Sequence, residues 1–257
     1  QAEDTSRALR AAHMAFTLSE TEASVTLLGS TGQIGSALLE QFNCQRDALA
    51  KKLGVSLCLK TAACSDRMVL GMDQSCIVSP NYLLGDKEVS KPLDLDKMSK
   101  WLQADVNPFR IVVDCTNSED VAEYYEQWLK AGVNIVSPGR KVGSGSLARY
   151  NRVCNAEREN TGFWLMESSV GSALPVINTL RDLVETGDEI KALSGSLSGT
   201  MAYVLSTFSE EVPFSEAVSR AIDRGYTEND VEEDLSGLDM SRKVVILARA
   251  LGLETTL

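Results

Sequence analysis

Residues 25–35 read VTLLGSTGQIG, and this stretch decides the fold. Its four apolar or β-branched residues end at Gly29, and from Gly35 apolar residues recur at helical spacing. Strand, glycine turn and helix open a βαβ unit, in which backbone N–H groups and a helix N-terminus face a bound pyrophosphate. The spacing is GxxGxxG, so Thr31 replaces the second glycine of the GxGxxG fingerprint. We predict a dinucleotide site, with a purely structural turn as the alternative, at Gly29, Thr31, Gly32, Gln33, Ile34 and Gly35.

The segments that follow predict an α/β protein with a second domain. Strands are predicted at 55–64, 110–116, 133–139 and 163–169, and helices at 118–132 and 147–162. This alternation is typical of a Rossmann-type doubly wound parallel sheet. The later segments predict helices at 175–188, 213–226 and 234–252, with a strand-like segment at 189–200. We therefore predict a linker or appended helix at 1–24, a dinucleotide-binding domain at 25–165 and an α+β domain at 166–257.

Composition limits the classes of partner. Of the 257 residues, 44% are hydrophobic and 24% are charged, as in ordinary globular proteins. The net charge of -11 argues against nucleic acid or an anionic membrane surface as the main partner. No apolar run approaches the roughly 18 residues of a membrane span. The six cysteines form no CxxC pair and there is one histidine, so we expect buried free thiols in an intracellular compartment rather than a zinc site.

Polar residues at the ends of predicted strands are candidates for cofactor binding, because ligands bind at the carboxyl edge of such sheets. After the second strand, Arg67 suits the 2′-phosphate of NADP, whereas Asp66 suits the free ribose hydroxyl of NAD, and Ser65 lies beside them. The sequence leaves NADP and NAD open. After the third strand, Thr116 and Asn117 offer small polar groups, with helix capping as the alternative.

Two further groups of charged residues are candidates for substrate chemistry. Arg140 and Lys141 follow a strand, where they suit a carboxylate or phosphate, with exposed surface cations as the alternative. Asp239 and Lys243 lie four residues apart in an otherwise apolar helix, which is the spacing of a side-chain pair. On an exposed helix this would be a weak surface ion pair, whereas in a cleft the lysine can transfer a proton. Periodicity leaves both interpretations open.

Five segments together resemble homoserine dehydrogenase in order and spacing. They are IVVDCTNS (111–118), NIVSPGRK (134–141), ESSVGSALPVINTLRDLVETGDEI (167–190), LSGSLSGTMAYV (193–204) and GYTENDVEEDLSGLDMSRKVVILARALG (225–252). The resemblance implies reversible hydride transfer, with NADP or NAD, between L-aspartate 4-semialdehyde and L-homoserine. It also implies that residues 166–257 form a substrate-binding, catalytic and dimerisation domain. A homodimer or higher homo-oligomer in the cytoplasm or a plastid is the corresponding expectation.

The leader RALRAAHMAFTLS (7–19) looks like the linker of bifunctional aspartokinase/homoserine dehydrogenases. That likeness implies a covalently linked aspartokinase domain in the parent chain. It also leads us to expect that the family's C-terminal closing segment is absent from these 257 residues.

The resemblance also implies roles for individual residues. Lys243 matches the proton-transfer lysine, Asp239 its catalytic partner, and Lys141 the lysine between cofactor and substrate. The implied substrate positions are Gly199, Thr200, Tyr226, Glu228 and Asp234. A monovalent cation, usually Na⁺, is implied at Glu167, Val170, Ser172 and Leu174, largely through carbonyl oxygens.

The chain departs from the family pattern in three of these segments. It has PGRKV for PNKKA, GSALP for GAGLP and ENDVEED for EPDPRDD. These departures and Thr31 keep a second interpretation open, a non-catalytic homoserine-dehydrogenase-like module that dimerises or regulates an attached aspartokinase. A third is another Rossmann reductase that acts on a small amino-acid aldehyde or imine.

Overall fold

The structure, a computed structural model, describes residue 5 and residues 21–71, 76–77, 79–105, 107–227 and 230–257. The chain divides into two compact units. The first unit comprises residues 1–139 and 151–166, and the second comprises 140–150 and 167–257. Most of the predicted linker at 1–24 lies outside the described residues. No described helix is long and apolar enough to cross a membrane.

A seven-stranded sheet forms the centre of the first unit. Its strands are β1 (Thr21–Leu28), β2 (Val55–Ala63), β3 (Arg67–Leu70), β4 (Lys91–Pro92), β5 (Phe109–Asp114), β6 (Asn134–Val136) and β7 (Trp164–Leu165). Their order is β4-β3-β2-β1-β5-β6-β7. β2, β1, β5, β6 and β7 are parallel, and β3 and β4 add an antiparallel edge. The predicted Rossmann-type sheet is confirmed, and its order reverses between β1 and β5, where such folds bind ligands.

The described helices of the chain are α1 (Gln33–Leu53), α2 (Pro80–Gly85), α3 (Leu95–Ala104), α4 (Glu119–Ala122), α5 (Tyr125–Lys130), α6 (Lys141–Ser144), α7 (Leu147–Glu159), α8 (Ile177–Glu185), α9 (Gly199–Thr207), α10 (Phe214–Asp223), α11 (Val231–Leu235) and α12 (Leu238–Ala250). In the first unit, Leu39 of α1 packs with Val25 and Leu27 of β1. Trp128 of α5 is fully buried, and its Nε1 donates to Ser99 Oγ at 3.0 Å. These contacts bury apolar side chains and leave the carboxyl ends of β1 and β5 to carry polar groups.

Two predicted helices are interrupted. The helix predicted at 118–132 is divided into α4 and α5 by a turn at Glu123 and Tyr124, where the Tyr124 N–H donates to Val121 O at 3.1 Å. The helix predicted at 234–252 is divided at Gly237, whose φ of 77° is left-handed. Apolar spacing continues across both interruptions, so periodicity alone does not reveal them.

The strand predicted at 189–200 is wrong. Residues 190–198 have no regular secondary structure, and α9 begins at Gly199, where the Ser198 hydroxyl accepts a hydrogen bond from Met201 N. A strand requires a neighbouring strand to which it can hydrogen-bond, and the described part of the second unit contains no strand. Alternating side chains gave the pattern of a strand without supplying its partner.

The expectation of free thiols is wrong for one pair of cysteines. Cys58 of β2 and Cys76 form a disulfide with an S–S distance of 2.08 Å, whereas Cys44, Cys64 and Cys115 are thiols. The two bridged residues are separated by 18 positions, a spacing that matches no motif. Their proximity comes from the folding of the chain after β3, which sequence spacing does not show.

Candidate active site

The glycine turn closes tightly between β1 and α1. Gly29 has a φ of +77°, and its N–H donates to Ala63 O at 2.8 Å. A Cβ on Gly35 would lie 2.1 Å from Gly29 O, so the helix and the turn approach each other only because residue 35 lacks a side chain. Thr31, Gly32, Gln33 and Ile34 are exposed at the start of α1. Within the described residues no side chain caps this N-terminus, so its amides fit a phosphate group.

The end of β5 lies beside this turn. A Cβ on Gly29 would lie 3.0 Å from the Cys115 carbonyl carbon and 3.2 Å from Thr116 Cγ2. Thr116 donates to Asp114 Oδ1 from its N–H at 2.8 Å and from its hydroxyl at 2.6 Å. Ser118 caps α4 by accepting from Val121 N, and Asn117 is exposed. The structure therefore brings Thr116 to the glycine turn and assigns the cap to Ser118.

At the end of β2, the candidates for cofactor selection differ in their contacts. Ser65 and Asp66 are exposed, and Asp66 Oδ1 accepts from Cys64 Sγ at 3.3 Å. Arg67, in contrast, donates from Nε to Ser90 Oγ and from Nη2 to Ser90 O, both at 2.6 Å. Its guanidinium holds a neighbouring loop, so a 2′-phosphate would have to compete with Ser90 for Arg67.

A buried carboxylate organises the charged residues of the second unit. Asp239, in the first turn of α12, is 2% exposed. Its Oδ2 lies 2.6 Å from Lys243 Nζ, and its Oδ1 forms an ion pair with Arg140 Nη2 at 2.5 Å. Lys243 Nζ also donates to Leu197 O at 2.7 Å. Asp239 is thus buried and the Lys243 side chain is 15% exposed, and their contacts fix the orientation of the pair, unlike a solvated surface pair.

Lys141 follows Arg140 in sequence. It is the first residue of α6, and Arg140 is the N-cap of the same helix. The Lys141 side chain is half-buried, and its carbonyl accepts from Arg149 Nη2 at 2.7 Å. The segment 140–141 therefore carries two cations, of which Arg140 contacts Asp239 directly.

The predicted substrate positions are partly brought together. The Thr200 hydroxyl donates to Tyr226 O at 2.6 Å. Gly199 begins α9 two residues after Leu197, whose carbonyl contacts Lys243. Asp234, in α11, is 2% exposed, and Glu228 lies outside the described residues.

The predicted cation segment contains a helix cap. Glu167 accepts from Ile177 N at 2.9 Å and from Asn178 N at 2.8 Å, so its carboxylate caps the N-terminus of α8. The Leu174 carbonyl accepts from Val176 N at 2.9 Å. Ser172 has a φ of 54°, and Val170 is buried. Glu167 and Leu174 O thus already accept hydrogen bonds from backbone amides, and the cation site at this segment stays a prediction.

Sequence analysis missed two buried arginines and a backbone acceptor. Arg149 and Arg249 are 7% and 4% exposed, and both donate to backbone carbonyls of the segment 141–145. An arginine inside the apolar run 244–251 was an available signal for Arg249. Nothing in the sequence indicated that Leu197 O would bind Lys243.

We predict that Cys115 is unreactive despite its position at the glycine turn. Burial, with a contribution from Asp114, raises the pKa of its thiol to about 11, so little thiolate exists at pH 8. Cys44 is exposed on α1. Iodoacetamide at pH 8 should alkylate Cys44 at least ~100-fold faster than Cys115, as followed by peptide mass spectrometry. Equal rates would contradict the prediction that Cys115 is unreactive.

We also predict that Asp114 makes unfolding depend on pH. Burial raises its pKa in the folded state, partly opposed by hydrogen bonds from Thr116 and Tyr125. The folded state therefore binds this proton more tightly, and the contribution to stability falls as pH rises from ~4 through the raised pKa. Asp114→Asn should remove that fall, by about 1.4 kcal/mol for each unit of elevation. Urea unfolding at pH 4 to 7 checks this, with the exposed Asp47→Asn as control, and parallel pH profiles for Asp114→Asn and the unmodified chain would contradict it.

Two protein-family models match the chain. The family model "Homoserine dehydrogenase, NAD binding domain" matches residues 31–167, and the model "Homoserine dehydrogenase" matches residues 175–257. The chain belongs to the homoserine dehydrogenase family. This confirms the resemblance inferred from the sequence.

The relatives include proteins named homoserine dehydrogenase and proteins named bifunctional aspartokinase/homoserine dehydrogenase. The chain is 38% identical over 256 residues to bifunctional aspartokinase/homoserine dehydrogenase 2, chloroplastic, of Zea mays, covering 99% of the chain and 28% of that relative. It is 34% identical over 236 residues to homoserine dehydrogenase of Saccharomyces cerevisiae, covering 90% of the chain and 63% of that relative. The chain thus spans less than a third of the plant protein.

A solved structure shares the fold. A hyperthermophilic archaeal homoserine dehydrogenase in complex with NADPH superposes with a TM-score of 0.72 at 22% identity, covering 89% of the chain and 69% of that structure. At that identity the similarity establishes the fold alone.

Proposed function

We propose that this chain is the dehydrogenase part of a homoserine dehydrogenase, which interconverts L-aspartate 4-semialdehyde and L-homoserine with NAD(P). The observation that carries the proposal is the buried Asp239 carboxylate, which fixes Lys243 Nζ at 2.6 Å. Family membership supports the substrate pair, and the names of the plant relatives support a linked aspartokinase in the natural chain.

The proposed chemistry needs a proton at a defined place. When bound, NAD(P)H would supply the hydride that reduces the aldehyde carbon, and NAD(P)⁺ would accept that hydride from the alcohol carbon in the oxidative direction. Reduction leaves negative charge on the substrate oxygen, which a general acid must neutralise. Of the three N–H groups of Lys243, one faces Asp239 and one faces Leu197 O. The third is then oriented to donate to the substrate oxygen and, as the amine, to take the proton back in the oxidative direction.

Charged residues of the second unit suit an amino-acid substrate. Buried Asp234, with Glu228, supplies the anionic partner for the substrate ammonium group. The Thr200 hydroxyl donates to the Tyr226 carbonyl at 2.6 Å, and Gly199 directly precedes Thr200, so these three residues are the proposed polar contacts of the substrate. Lys141 provides positive charge for the polar groups of the bound reactants.

The cofactor is proposed to lie with its pyrophosphate at the turn Gly29–Gly35 and its nicotinamide side toward Thr116 and Asn117. Both NADP and NAD remain candidates. Arg67 carries the charge that a 2′-phosphate needs, while the exposed Asp66 and Ser65 suit a ribose hydroxyl. NADPH in the archaeal relative supports NADP.

Three further parts of the proposal rest on the family resemblance and on the names of the relatives. We propose that Na⁺ binds at the segment of Glu167, Val170, Ser172 and Leu174. Activity is therefore expected to be higher with Na⁺ than with choline as the cation. A homodimer or larger homo-oligomer is proposed from the family resemblance. A plastid location, with cytoplasm as the alternative, is supported by the chloroplastic names of the plant relatives.

The test is an assay of the full natural chain with L-aspartate 4-semialdehyde and either NADPH or NADH, followed by absorbance and by mass spectrometry of the product. Robust turnover to L-homoserine supports the proposal. Turnover of other small amino-acid aldehydes only would favour a different reductase. No turnover, together with a change in aspartokinase activity when residues 21–257 are deleted, would favour the non-catalytic module.

A further inference from the structure

Two segments of the second unit carry the residues proposed for catalysis. α12 carries Asp239 and Lys243, and the short α6 begins with Lys141, directly after its N-cap residue Arg140. α6 has four residues, too few for a helix that is stable without tertiary contacts. The placement of Arg140 and Lys141 therefore depends on whatever holds α6.

α6 follows α12 in the same direction through three successive contacts. At its start, Arg140 pairs with Asp239 at 2.5 Å. At its middle, a Cβ on Gly143 would lie 2.9 Å from Ile246 Cγ1, which shows how closely the helices approach. After its end, Arg249 Nη2 donates to Gly145 O at 2.9 Å.

Arg249 makes the most extensive of these contacts. Its guanidinium donates from Nη1 to Gly143 O at 2.9 Å and from Nη2 to Gly145 O and Thr255 O. It also donates from Nε to Thr255 O at 3.1 Å and lies over the Tyr150 ring at 5.0 Å. Arg249 is 4% exposed, and these carbonyls replace the water molecules that its guanidinium loses on burial.

Arg149 also binds the backbone of the segment 141–145. Its Nη2 donates to Lys141 O at 2.7 Å, and a Cβ on Gly145 would lie 2.3 Å from the same Nη2. The glycine at 145 therefore lets Arg149 reach the carbonyl of Lys141. Two buried guanidinium groups thus bind three backbone carbonyls of the segment 141–145.

We propose that Arg249 is a positioning residue that holds α6 in register with α12 and thereby sets Arg140 and Lys141 relative to Asp239 and Lys243. The inference rests on the proposed function. Arg249 lies six residues after Lys243, about 9 Å along the helix, so it acts through the α6 backbone.

The kinetic test uses the full natural chain with Arg249→Met, Arg249→Lys and the matched control Arg220→Met. Arg220 is half-exposed and pairs locally with Glu216, four residues earlier on α10, at 2.5 Å. Arg249→Met should lower kcat about 100-fold, because small displacements of catalytic groups have effects of this size, with cofactor Kd changed less than threefold. Arg249→Lys, which can reach one or two carbonyls, should be intermediate, and it carries the test if Arg249→Met does not fold.

A double-mutant cycle separates positioning from general stabilisation. If Arg249 acts by placing Arg140, the effects on kcat of Arg249→Met and Arg140→Gln will be strongly non-additive. Additive effects, or a kcat within threefold of the unmodified chain in folded Arg249→Met, would overturn the inference.

Hydrogen exchange tests, independently of activity, whether Arg249 holds α6 in place. The Ser144 N–H donates to Arg140 O at 2.9 Å, so exchange of peptides covering 140–146 reports the order of α6. Arg249→Met should accelerate exchange there and leave α9 and α10 unchanged. Faster exchange throughout the second unit, or none in this segment, would overturn the inference. If the unmodified chain lacks turnover, the proposed function fails. The exchange result alone then shows whether Arg249 holds α6 in place.

Discussion

Replacing Lys243 by methionine is expected to lower kcat about 1000-fold and to leave cofactor affinity nearly unchanged. General acid–base groups typically contribute roughly 10²–10⁴ in rate, and methionine retains much of the lysine stem while removing the proton. The proposed cofactor turn at Gly29–Gly35 belongs to the first unit, whereas Lys243 belongs to the second, so the substitution leaves the turn itself unchanged. The expected result is therefore a loss in kcat with an unchanged Kd for NAD(P)H.

The Lys243→Met variant should remain folded. Asp239 keeps its ion pair with Arg140 at 2.5 Å, so the substitution does not leave the buried carboxylate without a cation. Lys191→Met is a matched control, because the Lys191 side chain is 76% exposed and pairs with the exposed Glu189. Steady-state kinetics and calorimetric cofactor titration check the prediction. A kcat within tenfold of the unmodified chain would remove Lys243 from its proposed role.

The second large effect is expected at the glycine turn. In Gly35→Ala, the new Cβ would lie 2.1 Å from Gly29 O and 2.8 Å from Gly29 C, both backbone atoms that cannot rotate away. The start of α1 must shift away from the turn, at a cost of about 1–3 kcal/mol in unfolding free energy. Cofactor affinity should fall about 100-fold, as expected from losing one or two charge-assisted hydrogen bonds of roughly 1.5–3 kcal/mol each.

Gly32→Ala provides the matched control for this prediction. Its Cβ would meet Gly29 O at 3.4 Å, an ordinary contact, and the φ of -73° suits any residue. Cofactor affinity should change by less than threefold. Equal losses in the two variants, measured by calorimetry, would show that the close approach at residue 35 does not shape the cofactor site.

Local sequence patterns predicted the start of the sheet and one charged pair of the candidate site. Strand β1, its glycine turn and helix α1 are adjacent in sequence, so their apolar periods and the glycines specify them together. The Asp239–Lys243 pair was also visible, because positions four apart lie on one helix face. What remained open was its environment, which depends on Arg140 and Leu197 from distant parts of the chain.

The failures have the same origin. Joining Cys58 to Cys76 depends on tertiary proximity, and the strand predicted at 189–200 lacked a neighbour in the described part of its unit. Arg249 was overlooked because an arginine in a helix ordinarily implies an exposed charge. Its three carbonyl acceptors come from Gly143, Gly145 and Thr255, which no helical period relates to it.

Isotope transfer tests the central claim most directly. The full natural chain is incubated with L-aspartate 4-semialdehyde and NADPH or NADH carrying two deuterium atoms at nicotinamide C4, and the amino-acid product is analysed by mass spectrometry. The account predicts L-homoserine with one deuterium on C4, formed at a rate that Lys243→Met reduces about 1000-fold. Unlabelled homoserine, or no homoserine with either cofactor, would contradict it.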